Sequence, residues 1–213
     1  MLLAALAGCA STPVSAPPQE QDWFIFLESG KKTPDDKVRV AQMQRGHLEN
    51  FKRLFGEKKL VAAGPLRDPS GATRGIVVVK APDRATLESY FQPDEFVRDG
   101  FMTLIAAPVR VMKPLSTEGI DANSIEEVRI VLVMRTGARD DFATRVRVSQ
   151  AVESGLFGAW YHMQEGIIGD VLFTREKDAA AIRIALGWGD SGNRGTTPSV
   201  TIWPQWLSKG VVR

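Results

Sequence analysis

The chain has 213 residues, with 27 Lys and Arg against 25 Asp and Glu, so its formal net charge is +2. This balance disfavours a dedicated nucleic-acid-binding protein, in which basic residues predominate and cluster. The apolar share of 44% and the charged share of 24% are those of a folded protein and exclude disorder of the whole chain. The length predicts one large domain or two small ones. A single cysteine excludes an intramolecular disulfide, and no apolar run approaches the roughly 18 residues of a membrane-spanning helix.

The first nine residues have the pattern of a targeting signal. Residues 1–9 read MLLAALAGC, and residues 6–9 resemble the lipobox that ends a bacterial lipoprotein signal peptide. The resemblance implies acylation of Cys9 and anchoring to membrane lipid in the cell envelope, and Ala10 favours the periplasmic face of the outer membrane. The basic segment expected before the apolar stretch is missing, so either the true start lies upstream or the chain is truncated. The alternative is a short apolar tail with an incidental cysteine.

Residues 10–22 have the composition of a tether. Residues 11–21 contain three prolines together with Ser, Thr, Gln and Glu, and they lack aromatic residues and periodicity. Such a composition predicts an extended, disordered segment that holds the folded part away from the membrane surface.

The first half, residues 23–114, shows a recognisable order of elements. Apolar and β-branched runs predict strands, and an apolar stripe at helical spacing predicts a long helix. Asp83 is expected to cap a second helix that runs to residue 91. The predicted strands are 23–27, 60–65, 75–79 and about 102–112, and the predicted long helix is 35–56. The resulting β-α-β-β-α-β order is ferredoxin-like, with an antiparallel sheet, both helices on one face and the other face in need of a cover.

The second half, residues 127–213, follows a predicted linker at 115–126 and is expected to be a β-rich α+β domain. It opens in the β-α-β-β order of the first half, but no second helix is visible in the sequence. A long loop is expected at 189–198. The predicted elements are a helix at 140–153 and strands at 128–134, 156–164, 169–174, 181–188 and 199–203.

The two halves have similar lengths and the same opening order, which favours a diverged duplication. Two bare sheet faces would then pack on each other within one chain as an intrachain pseudo-dimer. A homodimer that pairs sheets between chains is the other arrangement open to such a domain.

Three segments of the first half carry a family resemblance. They are residues 45–51 (RGHLENF), 59–66 (KLVAAGPL) and 94–101 (DEFVRDGF). Together they resemble the YCII-related family, in which a histidine precedes leucine on a helix, a strand ends in Gly-Pro and an Asp-Pro-aromatic turn precedes the last strand. In this chain Glu95 stands where the proline is usual. The match covers about 90 residues. It implies a ferredoxin-like fold of the dimeric α+β barrel type.

His47 and Asp94 are the candidate catalytic residues. His47 shares the apolar helical stripe of Val40, Phe51 and Leu54, where a solvated polar residue does not belong. Imidazole gives or takes a proton near neutral pH, and a carboxylate beside it fixes its tautomer. The resemblance implies that Asp94 is this partner. The alternatives are a hydrogen-bonded core histidine and an aspartate that caps a short helical turn.

The other candidates are weaker. Strand alternation places Trp160, His162 and Gln164 on one face, which would line a ligand pocket or form an ordinary half-exposed surface. Residues 189–192 read Gly-Asp-Ser-Gly and resemble the nucleophile segment of trypsin-like proteases, but the glycine usual at residue 193 is replaced by asparagine, so we interpret them as a loop.

Two further features bear on partners. Trp188, Trp203 and Trp206 form an aromatic group that is expected to be core, with a ligand or cell-wall contact as the alternative. Two distant histidines and one cysteine make a poor metal site, and there is no Gly-rich phosphate loop between a strand and a helix. We therefore expect neither a metal nor a cofactor.

The sequence thus predicts a membrane-anchored envelope protein with a YCII-like domain. The resemblance implies acid-base chemistry of the lyase or isomerase type on a small organic molecule, with His47 as general base and Asp94 as its orienting partner. The alternatives are a non-catalytic ligand-binding protein and an envelope scaffold that uses an apolar patch near the tryptophans of the second half.

Overall fold

A computed structural model describes residues 19–135, 138–188 and 199–213. The lipobox with Cys9, most of the tether and the loop that begins at residue 189 lie outside the described residues. The described elements are β1 (Gln21–Ser29), α1 (Lys37–Gly56), β2 (Leu60–Pro65), β3 (Thr73–Ala81), α2 (Arg84–Ser89), α3 (Glu95–Arg98), β4 (Met102–Lys113), β5 (Asp121–Met134), α4 (Ala138–Glu153), β6 (Ala159–Met163), β7 (Ile168–Thr174), α5 (Ala179–Ala185) and β8 (Val200–Lys209).

All eight strands belong to one antiparallel sheet in the order β2-β3-β1-β4-β6-β7-β5-β8. The two edge strands, β2 and β8, meet at a bridge between Leu66 and Gln205. The Arg67 N–H donates to the Pro204 carbonyl beside it. The sheet therefore closes on itself as a barrel, and the expected dimeric α+β barrel architecture is formed within one chain.

The predicted element order of the first half is confirmed. The Asp83 side chain accepts a hydrogen bond from the Thr86 N–H and caps α2, as expected. The short helix α3 precedes β4 and corresponds to the helical turn that the sequence offered as an alternative role for Asp94. Strand β1 begins at Gln21, so the last two residues of the predicted tether belong to the sheet.

The second half differs from its prediction at one element. The predicted strand at 181–188 is instead helix α5, which Asp178 caps by accepting a hydrogen bond from the Ala180 N–H. Ile182 and Leu186 are four residues apart and both fully buried, which is helical rather than strand spacing. With α5 in place, both halves follow β-α-β-β-α-β. Their common origin by duplication stays a prediction.

The predicted linker is shorter than expected. Strand β5 starts at Asp121 and pairs with β8, so only 114–120 separate the two halves of the sheet. The register with β8 is irregular between Asp121 and Ile125. Polar residues at this irregular start gave the segment the composition of a linker although its backbone is already in the sheet.

Side chains alternate between the barrel interior and the two outer faces that the helices cover. On β1, Phe24 and Phe26 point inside, whereas Trp23, Ile25 and Leu27 pack under α1 and α2. The interior core takes residues from both halves, including Phe24, Val78, Ile130, Tyr161 and Phe173. The two halves therefore share one core and depend on each other for its burial.

The tryptophans of the second half are placed by the same alternation. Trp188 is buried under the helices of this half, and half-buried Trp203 packs against the interior core. Half-buried Trp206 faces the Arg67 guanidinium at 5.4 Å from its ring centre. Trp188 is thus a core residue, as expected, whereas Trp203 is only partly buried. Trp206 is not among the exposed large apolar side chains of the residues that the structure describes.

No helix in the three described ranges is both long and apolar enough to cross a membrane.

Gly64 makes the closure of the barrel sterically feasible. A Cβ atom at this position would lie 1.9 Å from the Trp206 carbonyl oxygen on β8. Only glycine lets β2 approach the backbone of β8 this closely. The Gly-Pro ending of β2 thus has a packing reason as well as a role in ending the strand.

We expect Gly64→Ala to lower the free energy of unfolding by about 1–3 kcal/mol, because the added methyl group forces β2 and β8 apart. Urea unfolding followed by tryptophan fluorescence measures the loss. Gly46→Ala is the matched control. It lies inside α1 with no atom within 4 Å of the new methyl group, so it should raise stability by about 0.5–1 kcal/mol. An unchanged stability in Gly64→Ala would mean that the contact between β2 and β8 is not as tight as the geometry indicates.

Candidate functional site

Helix α1 brings His47 to the sheet. Asp36 caps the helix by accepting hydrogen bonds from the Val38 and Arg39 N–H groups. The buried residues of α1 recur at intervals of three and four and form one stripe: Met43, His47, Asn50 and Leu54. This is the predicted stripe rotated slightly, since Val40 and Phe51 are only half-buried. His47 itself is 7% exposed.

Asp94 fills two roles at once. Its Oδ1 accepts a hydrogen bond from the Phe96 N–H at 3.0 Å and caps α3. Its Oδ2 lies 2.6 Å from His47 Nδ1. The side chain of Asp94 is completely buried. The two interpretations left open by the sequence, a helix cap and a partner for His47, therefore hold together in one carboxylate.

Aromatic rings pack around His47, and its bond to Asp94 determines which ring nitrogen can contact a ligand. The Phe51 ring contacts the His47 ring edge-on at 4.4 Å between centres, and Phe96 does so at 5.8 Å. Because an ionised carboxylate only accepts hydrogen bonds, Asp94 binds His47 through a proton on Nδ1. This leaves Nε2 as the ring nitrogen available to water or a ligand.

Asn50 supports the pair and was missed by the sequence reasoning. Its Nδ2 donates to the Tyr90 carbonyl at 3.1 Å, and Arg53 Nη2 donates to both Asn50 Oδ1 and the Tyr90 carbonyl. These bonds tie α1 to the segment between α2 and α3 that carries Asp94. The sequence did contain a signal for Asn50, because it lies three residues after His47 and is a second polar residue on an apolar stripe. Burial also raises the pKa of Tyr90, so its phenol stays neutral at physiological pH.

His47 lines a cleft of about 420 Å³ between α1, the adjoining ends of β2 and β3, and strand β8. Its wall is mainly apolar, formed by residues such as Leu27, Ile76 and Leu207. The polar lining residues are Gln44, His47, Arg74 and Ser208. Among the described residues, no carboxylate pairs with the exposed Arg74 side chain. The cleft thus offers an apolar wall, a cation for an anionic group and one histidine able to move a proton.

In the second candidate group, Asp170 connects Trp160 and His162, and the sequence did not lead us to predict this residue. Asp170 Oδ1 accepts a hydrogen bond from Trp160 Nε1 at 2.7 Å and lies 2.9 Å from His162 Nδ1. Trp160 and Asp170 are buried, and Gln164 is exposed at the end of the strand. The available signal was a carboxylate inside the otherwise apolar run of β7. His162 is 16% exposed and faces a different cleft from His47.

Neither histidine belongs to a metal cluster in the part of the chain that the structure describes. No group of three His, Cys, Asp or Glu side chains converges there. Cys9, the predicted lipidation site, lies outside the described residues.

One family model matches a segment of the first half. Residues 25–111 match the model of the YCII-related domain. This part of the chain is therefore similar to the YCII-related domain. The predicted family is thereby confirmed, and the YCII-related domain contains both His47 and Asp94. No curated protein is significantly similar to the chain in sequence.

Solved structures show where the whole fold recurs. A candidate monooxygenase of Fusobacterium nucleatum is 13% identical, with a TM-score of 0.56, over 89% of this chain and 95% of its own. A candidate monooxygenase of Lactobacillus acidophilus is 9% identical, with a TM-score of 0.55, over 88% and 94%. A mutant chlorite dismutase of Candidatus Nitrospira defluvii in complex with cyanide is 14% identical, with a TM-score of 0.52, over 87% and 90%. At these identities the likeness shows the shared fold of the YCII-related domain and the second half together.

We expect Asp94→Asn to lower the free energy of unfolding by about 1–3 kcal/mol, because the buried His47 Nδ1–H loses its charged acceptor. The capping of α3 should survive, since asparagine caps helices as well as aspartate does. Urea unfolding measures the change. Asp178→Asn is the control, because Asp178 caps α5 through the same kind of bond but contacts no histidine; its effect should be much smaller. Equal losses in the two variants would show that capping, and not the bond to His47, is what Asp94 contributes.

Proposed function

We propose that the protein binds a small organic acid in the cleft beside His47 and catalyses proton transfer on it, in a reaction of the elimination or isomerisation type. The observation that carries the proposal is the buried 2.6 Å contact between His47 Nδ1 and Asp94 at the wall of a ligand-sized cleft. A histidine held by a carboxylate is a common arrangement for a general base.

Each residue has a defined role in this reaction. Arg74 binds the carboxylate of the substrate, because a guanidinium donates two parallel hydrogen bonds to such a group. His47 Nε2 takes a proton from the carbon next to a carbonyl group, and Asp94 holds the ring and stabilises the imidazolium that forms. Return of that proton to another atom of the substrate completes an isomerisation, and its transfer to a departing hydroxyl group completes an elimination.

The relatives support a role with small molecules at the level of the fold. Two of the structures with the same architecture are candidate monooxygenases and a third is a chlorite dismutase, so this barrel accommodates chemistry on small substrates. Their chemistry is not carried over to this chain, since fold alone does not determine function.

A non-catalytic ligand-binding role is the second candidate. Among the described residues that line the cleft, His47 is the only histidine, and none is an acid, a cysteine or a lysine. Many proton-transfer enzymes use a separate acid and base, and a binding protein needs neither. The same cleft, with Arg74 and the apolar wall, would then hold an organic acid without transforming it.

Deuterium exchange separates these two candidates. Small 2-oxo acids, such as 2-oxobutanoate, are incubated with the protein in D₂O, and loss of the proton signal next to the carbonyl is followed by NMR. If His47 is the base, wild type accelerates exchange, and His47→Gln lowers the rate by about 10²–10⁴-fold. Asp94→Asn should lower the rate by about tenfold or more, and Asp178→Asn should leave it unchanged.

The outcomes are distinct. Binding in wild type without exchange, weakened about tenfold by Arg74→Gln as expected for a lost charge-assisted bond, would replace the catalytic role with the binding role. Exchange that persists in His47→Gln would rule out His47 as the base. Neither binding nor exchange with any acid of the series would contradict both candidates.

We propose further that the protein is held at the bacterial envelope by lipid on Cys9. The support is the Leu-Ala-Gly-Cys sequence at residues 6–9, followed by a proline-rich stretch of tether composition. More than one acyl chain anchors a protein stably to a bilayer. The folded barrel, which begins at Gln21, would then operate close to the membrane surface.

Metabolic labelling tests the anchor. The protein is expressed from its own gene in the source bacterium grown with an alkyne analogue of palmitate, and label and membrane fraction are measured. Wild type should carry label and sediment with membranes, whereas Cys9→Ser should be unlabelled. Ser11→Ala, two residues away and outside the lipobox, should behave as wild type. Wild-type protein without label would refute the anchor.

A further inference from the structure

A second cleft lies beside His162, between β4 of the first half and β6 and α4 of the second half. Arg110 on β4 is the direct cross-strand partner of His162 on β6, and His162 is in turn the partner of Asp170 on β7. Directly opposed residues in an antiparallel sheet point to the same face. The three side chains therefore form a row across the outer face of the sheet, next to α4.

Helix α4 supplies the opposite wall of this cleft. Phe142, Arg145, Val146 and Ser149 are spaced by three and four residues, which places them on one flank of the helix. Together with Arg110, Met112, Trp160 and His162 they line a volume of about 420 Å³. Phe142 is 67% exposed and Val146 is 42% exposed. The cleft thus has two solvent-exposed apolar side chains beside its charged ones.

The charge of this cleft is positive. Within the described part of the chain, neither Arg110 nor Arg145 has a carboxylate partner, and no acidic side chain lines the cleft. The buried carboxylate of Asp170 does not line the cleft and is hydrogen-bonded to Trp160 and His162. Ser149 hydroxyl donates to Glu153, one turn further along the exposed surface of α4. Two arginines thus face a cleft whose described lining residues include no carboxylate.

We propose that this cleft is a second ligand site, for a small organic acid with an aromatic or branched apolar body. Arg110 and Arg145 bind the carboxylate from the two walls. The apolar body packs against Val146, Phe142 and the edge of Trp160. Asp170 holds His162 through Nδ1, so Nε2 is the ring nitrogen left for the ligand. The mixture of guanidinium groups and apolar side chains favours an organic acid over inorganic phosphate, which gains nothing from the apolar wall.

This site is independent of the one proposed for catalysis. His47 is on helix α1 and Asp94 is in the segment before α3, whereas His162 and Asp170 face each other on two neighbouring strands of the second half. The two pairs share no lining residue in the clefts they face. One site can therefore fail in experiment while the other stands.

The test uses 4-fluorobenzoate as the probe on the full chain. Binding is followed by the shift of the Trp160 indole N–H signal in ¹H–¹⁵N spectra, assigned with Trp160→Phe, and by ¹⁹F NMR of the probe. We expect 4-fluorobenzoate to shift the Trp160 signal and neutral 4-fluorobenzamide to leave it in place. Arg110→Gln and Arg145→Gln should each weaken binding about tenfold, the effect of one lost charge-assisted bond.

Arg147→Gln is the matched control. Arg147 is on the same helix two residues after Arg145, does not line the cleft and packs near Gly187, so its removal should leave the affinity unchanged. The Trp160 shift should also persist in His47→Gln, which separates this site from the catalytic cleft.

Three results would overturn the proposal. The first is a Trp160 signal that does not move with 4-fluorobenzoate. The second is an equal loss of affinity in Arg147→Gln and Arg145→Gln, which would indicate a general charge effect. The third is competition by inorganic phosphate as strong as that by the carboxylate, which would remove the preference for an organic acid.

Discussion

Closure of the eight-stranded sheet is the constraint on which the rest of the molecule depends. Strands β2 and β8 come from opposite halves of the chain, and they meet only because Gly64 has no side chain to collide with the Trp206 carbonyl. Closure removes both free sheet edges. It also converts the bare face of each half into one shared interior, filled by Phe24, Tyr161, Phe173 and their neighbours. A half of the chain by itself would leave this apolar face in water.

The barrel leaves the helices outside, and both clefts form where a helix flank meets the outer sheet face. In the first half, α1 stands beside β2 and β8 and carries His47. On the other side of the molecule, α4 of the second half stands beside β4 and β6 and faces His162. Apolar packing beneath each helix holds it at a fixed position, while its flank provides the polar groups. Rigid elements of this kind position side chains more accurately than loops do.

The two histidine–aspartate pairs reach similar geometry by different routes. Asp94 is fixed by capping α3, so the backbone orients the carboxylate that binds His47. Asp170 is fixed by strand register and by the indole N–H of Trp160. Each carboxylate is buried and satisfied by two hydrogen-bond donors, which is what a buried charge requires. The pairs do not occupy corresponding positions of the two halves, and they are therefore better regarded as separate sites than as copies of one.

Much of this protein follows from local sequence. The order of elements in the first half, the cap at Asp83 and the buried stripe of α1 were readable because periodicity and capping depend on neighbouring residues. The family and its His47 and Asp94 candidates followed from short motifs. The segment of α5 was wrongly predicted as a strand because Ile182, Ile184 and Leu186 occupy every second position, as in a strand. The tertiary structure instead buries Ile182 and Leu186 and leaves Ile184 exposed. Only the tertiary structure decided the closure at Gly64, the role of Asn50 and the contact of Asp170 with His162 and Trp160. These features join residues far apart in the chain or on different strands, and no local pattern records which strands become neighbours.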